Sequence, residues 1–138
     1  MATPNYARNL RDADFTKTGT LSNAATAVYS SVMDLGQTKV QSLEQLEFEI
    51  AVPATTTLVH TKVMTLSVEE SDASGSGFAA VDPLISTTLT GVSGNGSAAK
   101  TVRFRLPSQT KRYVRVKAVT TSDGGDNTAT SYTFSALF

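Results

Sequence analysis

The chain has 138 residues, 40% of them apolar, and its 12 basic and 12 acidic side chains cancel to a net charge of zero. That length suits one domain with one buried core, and the balance gives no overall pull toward nucleic acid or an anionic membrane. There is no cysteine, which excludes disulfides, thiolate catalysis and cysteine-based zinc sites.

Charged residues make up only 17%, and 21 Thr with 15 Ser take their place. Threonine suits a half-exposed strand, because its β-branch stiffens the chain while its hydroxyl faces water. No apolar run approaches the roughly 20 residues that cross a bilayer. The polar opening Met1-Ala2-Thr3-Pro4 lacks the apolar stretch of a signal peptide. The expectation is a soluble protein made in the cytoplasm.

Residues 1–26 show no sustained period. Tyr6, Leu10 and Phe15 are scattered among Arg8, Arg11, Asp12, Asp14 and Lys17, and the stretch reads as an extended N-terminal arm. It is either a loosely docked terminus or a reach toward a neighbouring subunit through its isolated aromatics. The domain proper is expected over 27–138.

Strand signals then recur. Ala27–Asp34 ends at the Leu35-Gly36 turn. In Gln45–Val52, Leu46, Phe48 and Ile50 alternate with Glu47 and Glu49, the period of a strand with one buried face. Lys62–Glu69 repeats it with Met64, Leu66 and Val68 inward. Leu84–Thr90 follows Pro83, Lys100–Leu106 turns Val102, Phe104 and Leu106 inward, and Arg112–Thr120 turns Val114, Val116 and Ala118 inward. Ala129–Phe138 closes the chain with Tyr132, Phe134 and Ala136. The loops Ser71–Gly77, Gly91–Ala99 and Ser122–Asn127 separate these runs. Seven or eight strands without a long helix predict an all-β, jelly-roll-like sandwich or barrel.

Sites of chemistry are sparse. His60 is the only histidine, whereas zinc wants three or four N or S ligands. A Ser-His-Asp triad would lack its G-x-S-x-G elbow. Glu47 and Glu49 share a strand face and alternate with core residues, so they read as an exposed face and not as a glycosidase pair. Asp123-Gly124-Gly125-Asp126 lacks the further oxygen ligands of a calcium loop and reads as a turn. Gly91-Val92-Ser93-Gly94-Asn95-Gly96 lacks the Lys-Ser/Thr pair of a phosphate loop and reads as a mobile hairpin. The expectation is a chain without cofactor, metal or catalytic residues.

Charge distribution is uneven. Seven of the twelve basic residues fall at Lys100, Arg103, Arg105, Lys111, Arg112, Arg115 and Lys117, and no acid occurs from Pro83 to Ser122. Five acids cluster in Glu44–Glu70. Two readings stand side by side. The charges neutralise each other across strands of one sheet, or they form a basic face that meets an acidic partner. Single-strand nucleic-acid binding would add aromatic platforms, and only Phe104 and Tyr113 are near.

The Ser22–Ser31 lead into Val32-Met33-Asp34-Leu35-Gly36, the Glu-flanked strand Leu46–Val52, the Leu106-Pro107 step and the run Lys111-Arg112-Tyr113-Val114-Arg115-Val116 resemble the capsid cement, or decoration, proteins of tailed bacteriophages. The likeness covers about Thr20 to Phe138. It implies a structural virion protein on the outer surface of an HK97-type capsid that bridges neighbouring major capsid subunits, as a homo-oligomer (dimer or trimer) with no nucleic acid or membrane partner. It also implies a turn at Asp34 and Gly36. Partner contacts are expected at Tyr6, Arg8 and Phe15 of the arm and at Arg103, Arg105, Arg112, Arg115 and Lys117 of the basic strands. The rival is a host-facing β-sandwich, a tail-fibre or carbohydrate-binding module. It would lean on exposed aromatics, and the chain has no tryptophan.

Overall fold

The computed structural model describes residues 15–36 and 46–137. Tyr6 and Arg8 lie outside them. Ten strands run in chain order: β1 (Thr16–Thr20), β2 (Ala27–Tyr29), β3 (Met33–Asp34), β4 (Glu47–Val52), β5 (Val63–Ser71), β6 (Ala79–Ala80), β7 (Ser86–Thr90), β8 (Lys100–Arg105), β9 (Tyr113–Thr120) and β10 (Ser131–Leu137). All pairings between these strands are antiparallel. One sheet has the order β1-β10-β4-β8. In the other, β9 and β5 are central, β2 and β3 both pair β9, and β6 and β7 both pair β5.

The ten segments therefore occupy eight strand positions. Ser30 interrupts β2 and β3, where its Oγ accepts a bond from the Val116 N–H at 2.9 Å in place of a main-chain carbonyl. Pro83 falls between β6 and β7, where a residue without an N–H cannot serve the ladder. With these breaks read through, successive strands pass between the sheets as in a jelly roll, and only β5 and the β6–β7 strand stay together. The expected class is found, and two short elements, β1 and β6, carry no strand signal in the sequence.

β1 corrects the expected extent of the arm. From Thr16 onward that stretch belongs to the sandwich, paired with Ser131–Ser135 of β10. Phe15 packs against the domain's own core. Period-two signal is missing in β1 because its inward positions are Lys17 and Gly19, opposite Phe134 and Tyr132. Gly19 is required there: a Cβ would lie 2.5 Å from the Tyr132 hydroxyl oxygen. The ring of Tyr132 fills that space, and its hydroxyl donates to the Val116 carbonyl at 3.2 Å. Burial holds this phenol well above the ordinary tyrosine range.

The core lies between the sheets. Phe48, Ile50, Val52, Phe134 and Ala136 face Met64, Leu66, Val68, Val114, Val116 and Ala118. Phe48, Phe104 and Phe134 stack on adjacent strands with ring centroids 5.9–6.2 Å apart, a favourable aromatic spacing. Glu49, expected on an exposed face, is 3% exposed. It points away from the core, where Leu137 and Ser135 of β10 are also buried.

The loops at one end are knitted together. Ala24 N–H donates to Gly125 O, Val59 N–H to Gly124 O, and Gly96 N–H to Leu58 O. Asn127 is the hub: its amide nitrogen donates to Ser22 O, Gly124 O and Gly125 O, and its carbonyl accepts from Thr57 Oγ1. The 91–96 hairpin is thereby anchored, contrary to the mobile loop expected. Two of its glycines serve close approach: a Cβ on Gly91 would lie 2.0 Å from the Val59 carbonyl oxygen, and one on Gly96 2.4 Å from the Thr55 carbonyl oxygen.

Candidate interaction surface

The seven clustered cations do not form one face. β8 is the outermost strand of one sheet and β9 is central in the other, so Arg103 and Arg105 point outward on one side of the sandwich while Arg115 and Lys117 point outward on the opposite side. The single basic face considered above is excluded by this topology.

Most of these cations meet an acid within the chain. Arg115 Nε donates to Oε1 of Glu69, its register partner on β5, at 2.9 Å, and Nη2 lies 2.9 Å from the same oxygen. Its guanidinium also lies 3.7 Å from the Tyr29 ring centroid and 4.0 Å from that of Phe78. Sandwiched between two rings and 21% exposed, it ties β2, β5, β9 and the loop before β6 into one unit. Such contacts strengthen as water is excluded.

Arg112 grips Asp34 with two parallel bonds of 2.8 and 2.9 Å, the fork geometry that suits guanidinium and carboxylate. Asp34 Oδ1 also accepts the Gly36 N–H at 2.9 Å, and Gly36 has a φ of 91°. The turn at Asp34-Leu35-Gly36 is thus present. Arg112 first, then the Gly36 N–H, hold the Asp34 carboxyl at about 2, below the ordinary 3.8. Arg103 Nε donates to Glu49 at 3.0 Å, and Lys111 reaches Asp72 at 3.6 Å. Cross-strand neutralisation therefore accounts for Arg103 and Arg115, and a turn contact for Arg112.

Arg105 and Lys117 have no ion-pair partner among the described residues. Lys100 Nζ donates to the Thr88 carbonyl at 2.8 Å and links β8 to β7 across the open side of the sandwich. Among the described residues, Tyr29, at 45% exposure, joins Leu84 and Val92 as the exposed large apolar residues. Nothing in the local sequence marks Tyr29, Phe78 and Glu69 as companions of Arg115, because three different elements bring them to it.

The residues weighed for catalysis are dispersed. His60 is exposed in the 53–62 loop, and its backbone N–H donates to Asn95 Oδ1. Asp126 turns back on its own chain, accepting from the N–H and hydroxyl of Thr128 at 3.0 and 2.6 Å. Among the described residues, no group of three or more His, Asp or Glu could hold a metal ion.

No protein-family model and no curated protein matches the chain. Solved structures similar to it include that of Tomato Aspermy Virus, at 8% identity, a TM-score of 0.41, and coverage of 99% of this chain and 85% of that one. Another is that of the CBM22-1–GH10 modules of Clostridium thermocellum xylanase 10B with xylohexaose, at 10% identity, a TM-score of 0.39, and coverage of 92% of this chain and 26% of that one. Both scores are too low to carry an argument about function.

Proposed function

We propose that the chain is a structural virion protein, a cement protein that binds the outside of an HK97-type phage capsid and bridges neighbouring major capsid subunits. One observation carries this reading. Two of the sequence elements that carry the cement-protein resemblance meet in space: Asp34 of Asp-Leu-Gly is held by Arg112 of the Lys111–Val116 run. Elements 78 residues apart form one built feature, a turn locked to the start of β9.

The rest of the molecule suits the task. A protein that binds an assembled lattice in preference to free subunits adds its binding free energy to the stability of the shell. A homo-oligomer would touch several subunits at once and gain avidity. The knitted loop end offers a preorganised contact surface, which lowers the ordering cost of binding.

A carbohydrate-binding module would need an open aromatic platform. Tyr29 is the exposed aromatic among the described residues, and Arg115 covers one face of its ring. The test is fractionation of mature particles. The cement reading expects the protein in stoichiometric amount on the particles and no binding to free major capsid subunits. Its absence from particles, with a specific hit on a glycan array, overturns the reading in favour of the module.

A further inference from the structure

A sandwich has four edge positions, and this one treats them differently. β1 is tied across to the other sheet by Ser31 N–H, which donates to Thr18 O at 3.1 Å. The opposite edge on that side, β2 and β3, is broken at Ser30, and the β6–β7 edge is broken around Pro83. β8 is the remaining edge: six uninterrupted residues whose backbone pairs only with β4 among the described residues. Its burial also differs. Thr101, Arg103 and Arg105 are exposed, and Val102 and Phe104 are only half-buried although they face the core.

An unprotected edge is a template for another strand. We infer that β8 is a docking edge for an extended segment of a partner that alternates acidic and apolar residues. The molecule itself displays the chemistry that β8 accepts. On its paired side, β4 sets Glu47 opposite Arg105, Glu49 opposite Arg103 and Phe48 opposite Phe104. A second strand of the same pattern would place its acids beside Arg103 and Arg105 and its apolar side chains over the half-covered Val102 and Phe104. Arg105 forms no ion pair among the described residues, and Arg103 is 46% exposed despite its bond to Glu49.

The same charges select against a second copy. Two β8 edges paired antiparallel about Arg103 or Phe104 would set arginines against arginines, which is unfavourable. Cations on the edge thus discourage self-association and admit an acidic partner, so attraction and rejection come from one pair of side chains. The inference deepens the capsid-binding reading by naming the chemistry of the partner segment. A peptide experiment needs no particle, so either can fail without the other.

The test uses the full chain, labelled with nitrogen-15, and an end-capped heptapeptide alternating glutamate and valine. Amide shifts confined to Lys100–Arg105 and their immediate neighbours, with slowed exchange at alternate residues of β8, are expected. Arg105→Glu should weaken binding by about tenfold or more and leave the rest of the spectrum in place. A lysine–valine peptide should not bind. The glutamate peptide N-methylated at alternate positions should not bind either, because strand addition needs its backbone donors. The inference is overturned if the glutamate peptide does not bind at millimolar concentration, shifts residues elsewhere, or binds Arg105→Glu as well as the parent.

Discussion

β8 and β9 are consecutive strands with the same sequence pattern, basic residues alternating with apolar ones, and the fold gives them opposite fates. β9 lies between two strands, and its Arg115 is enclosed by Glu69, Tyr29 and Phe78. β8 lies at an edge, where Arg105 is exposed and forms no ion pair among the described residues although Glu47 stands opposite it on β4. An arginine becomes an internal tie when neighbours on both sides desolvate it. It remains available to a partner when one side is open.

That contrast can be broken by substitution. The largest effect is expected for Arg115→Ala, which removes two ring contacts and leaves Glu69, itself buried, without its cation. A loss of about 2–4 kcal/mol should appear in the urea midpoint with an unchanged slope. An effect no larger than that of an exposed arginine would show that the ring sandwich is incidental.

Arg103→Ala should cost less, about 1–3 kcal/mol, although it too faces a buried carboxylate. Arg103 is more exposed than Arg115, at 46% against 21%, so water already shares its charge. Equal losses at the two positions would erase the distinction between edge and centre.

Asp34→Asn tests the exposed turn where β9 begins. The folded carboxyl sits at about 2 against 3.8 ordinarily. A depressed value stabilises the fold above the ordinary pKa, and the gain is lost as pH falls through the folded one. The variant should therefore be less stable by under about 1 kcal/mol between about pH 5 and 7, a small value because the pair faces solvent. The difference should close as pH falls toward 2, which acid titration of the two proteins would show.

Arg105→Ala should have the smallest effect on stability, within about 0.5 kcal/mol. The same residue governs the peptide response proposed for β8. A residue whose loss leaves folding intact and weakens binding is the sharpest form of the comparison.

Much of the architecture was legible in the residues. Leu46–Ile50, Met64–Val68 and Val114–Ala118 alternate apolar and polar side chains because each strand has one face in the core, and each forms a strand as expected. β1 was not legible: an edge strand with Lys17 and Gly19 on its inner side carries no apolar period. Glu49 was read as exposed because alternation marks the face away from the core. It does not reveal whether that face is covered. The glycines of 91–96 were read as freedom, whereas Gly91 and Gly96 answer to carbonyls of the 53–62 loop. Of the surface residues, the charges were visible and their partners were not, because Glu69, Asp34 and Glu49 come from 46, 78 and 54 residues away.

The sequence by itself determined that this chain is built of strands, which side chains face the core, and that cations crowd its last third. These are local properties, set by a period of two and by composition. Only the tertiary structure decided that β8 and β9 belong to different sheets, so that one run of cations is divided between opposite faces. The physical reason is that sheet membership depends on which distant strands pair, and a strand's own residues carry the same alternation at an edge as in the middle.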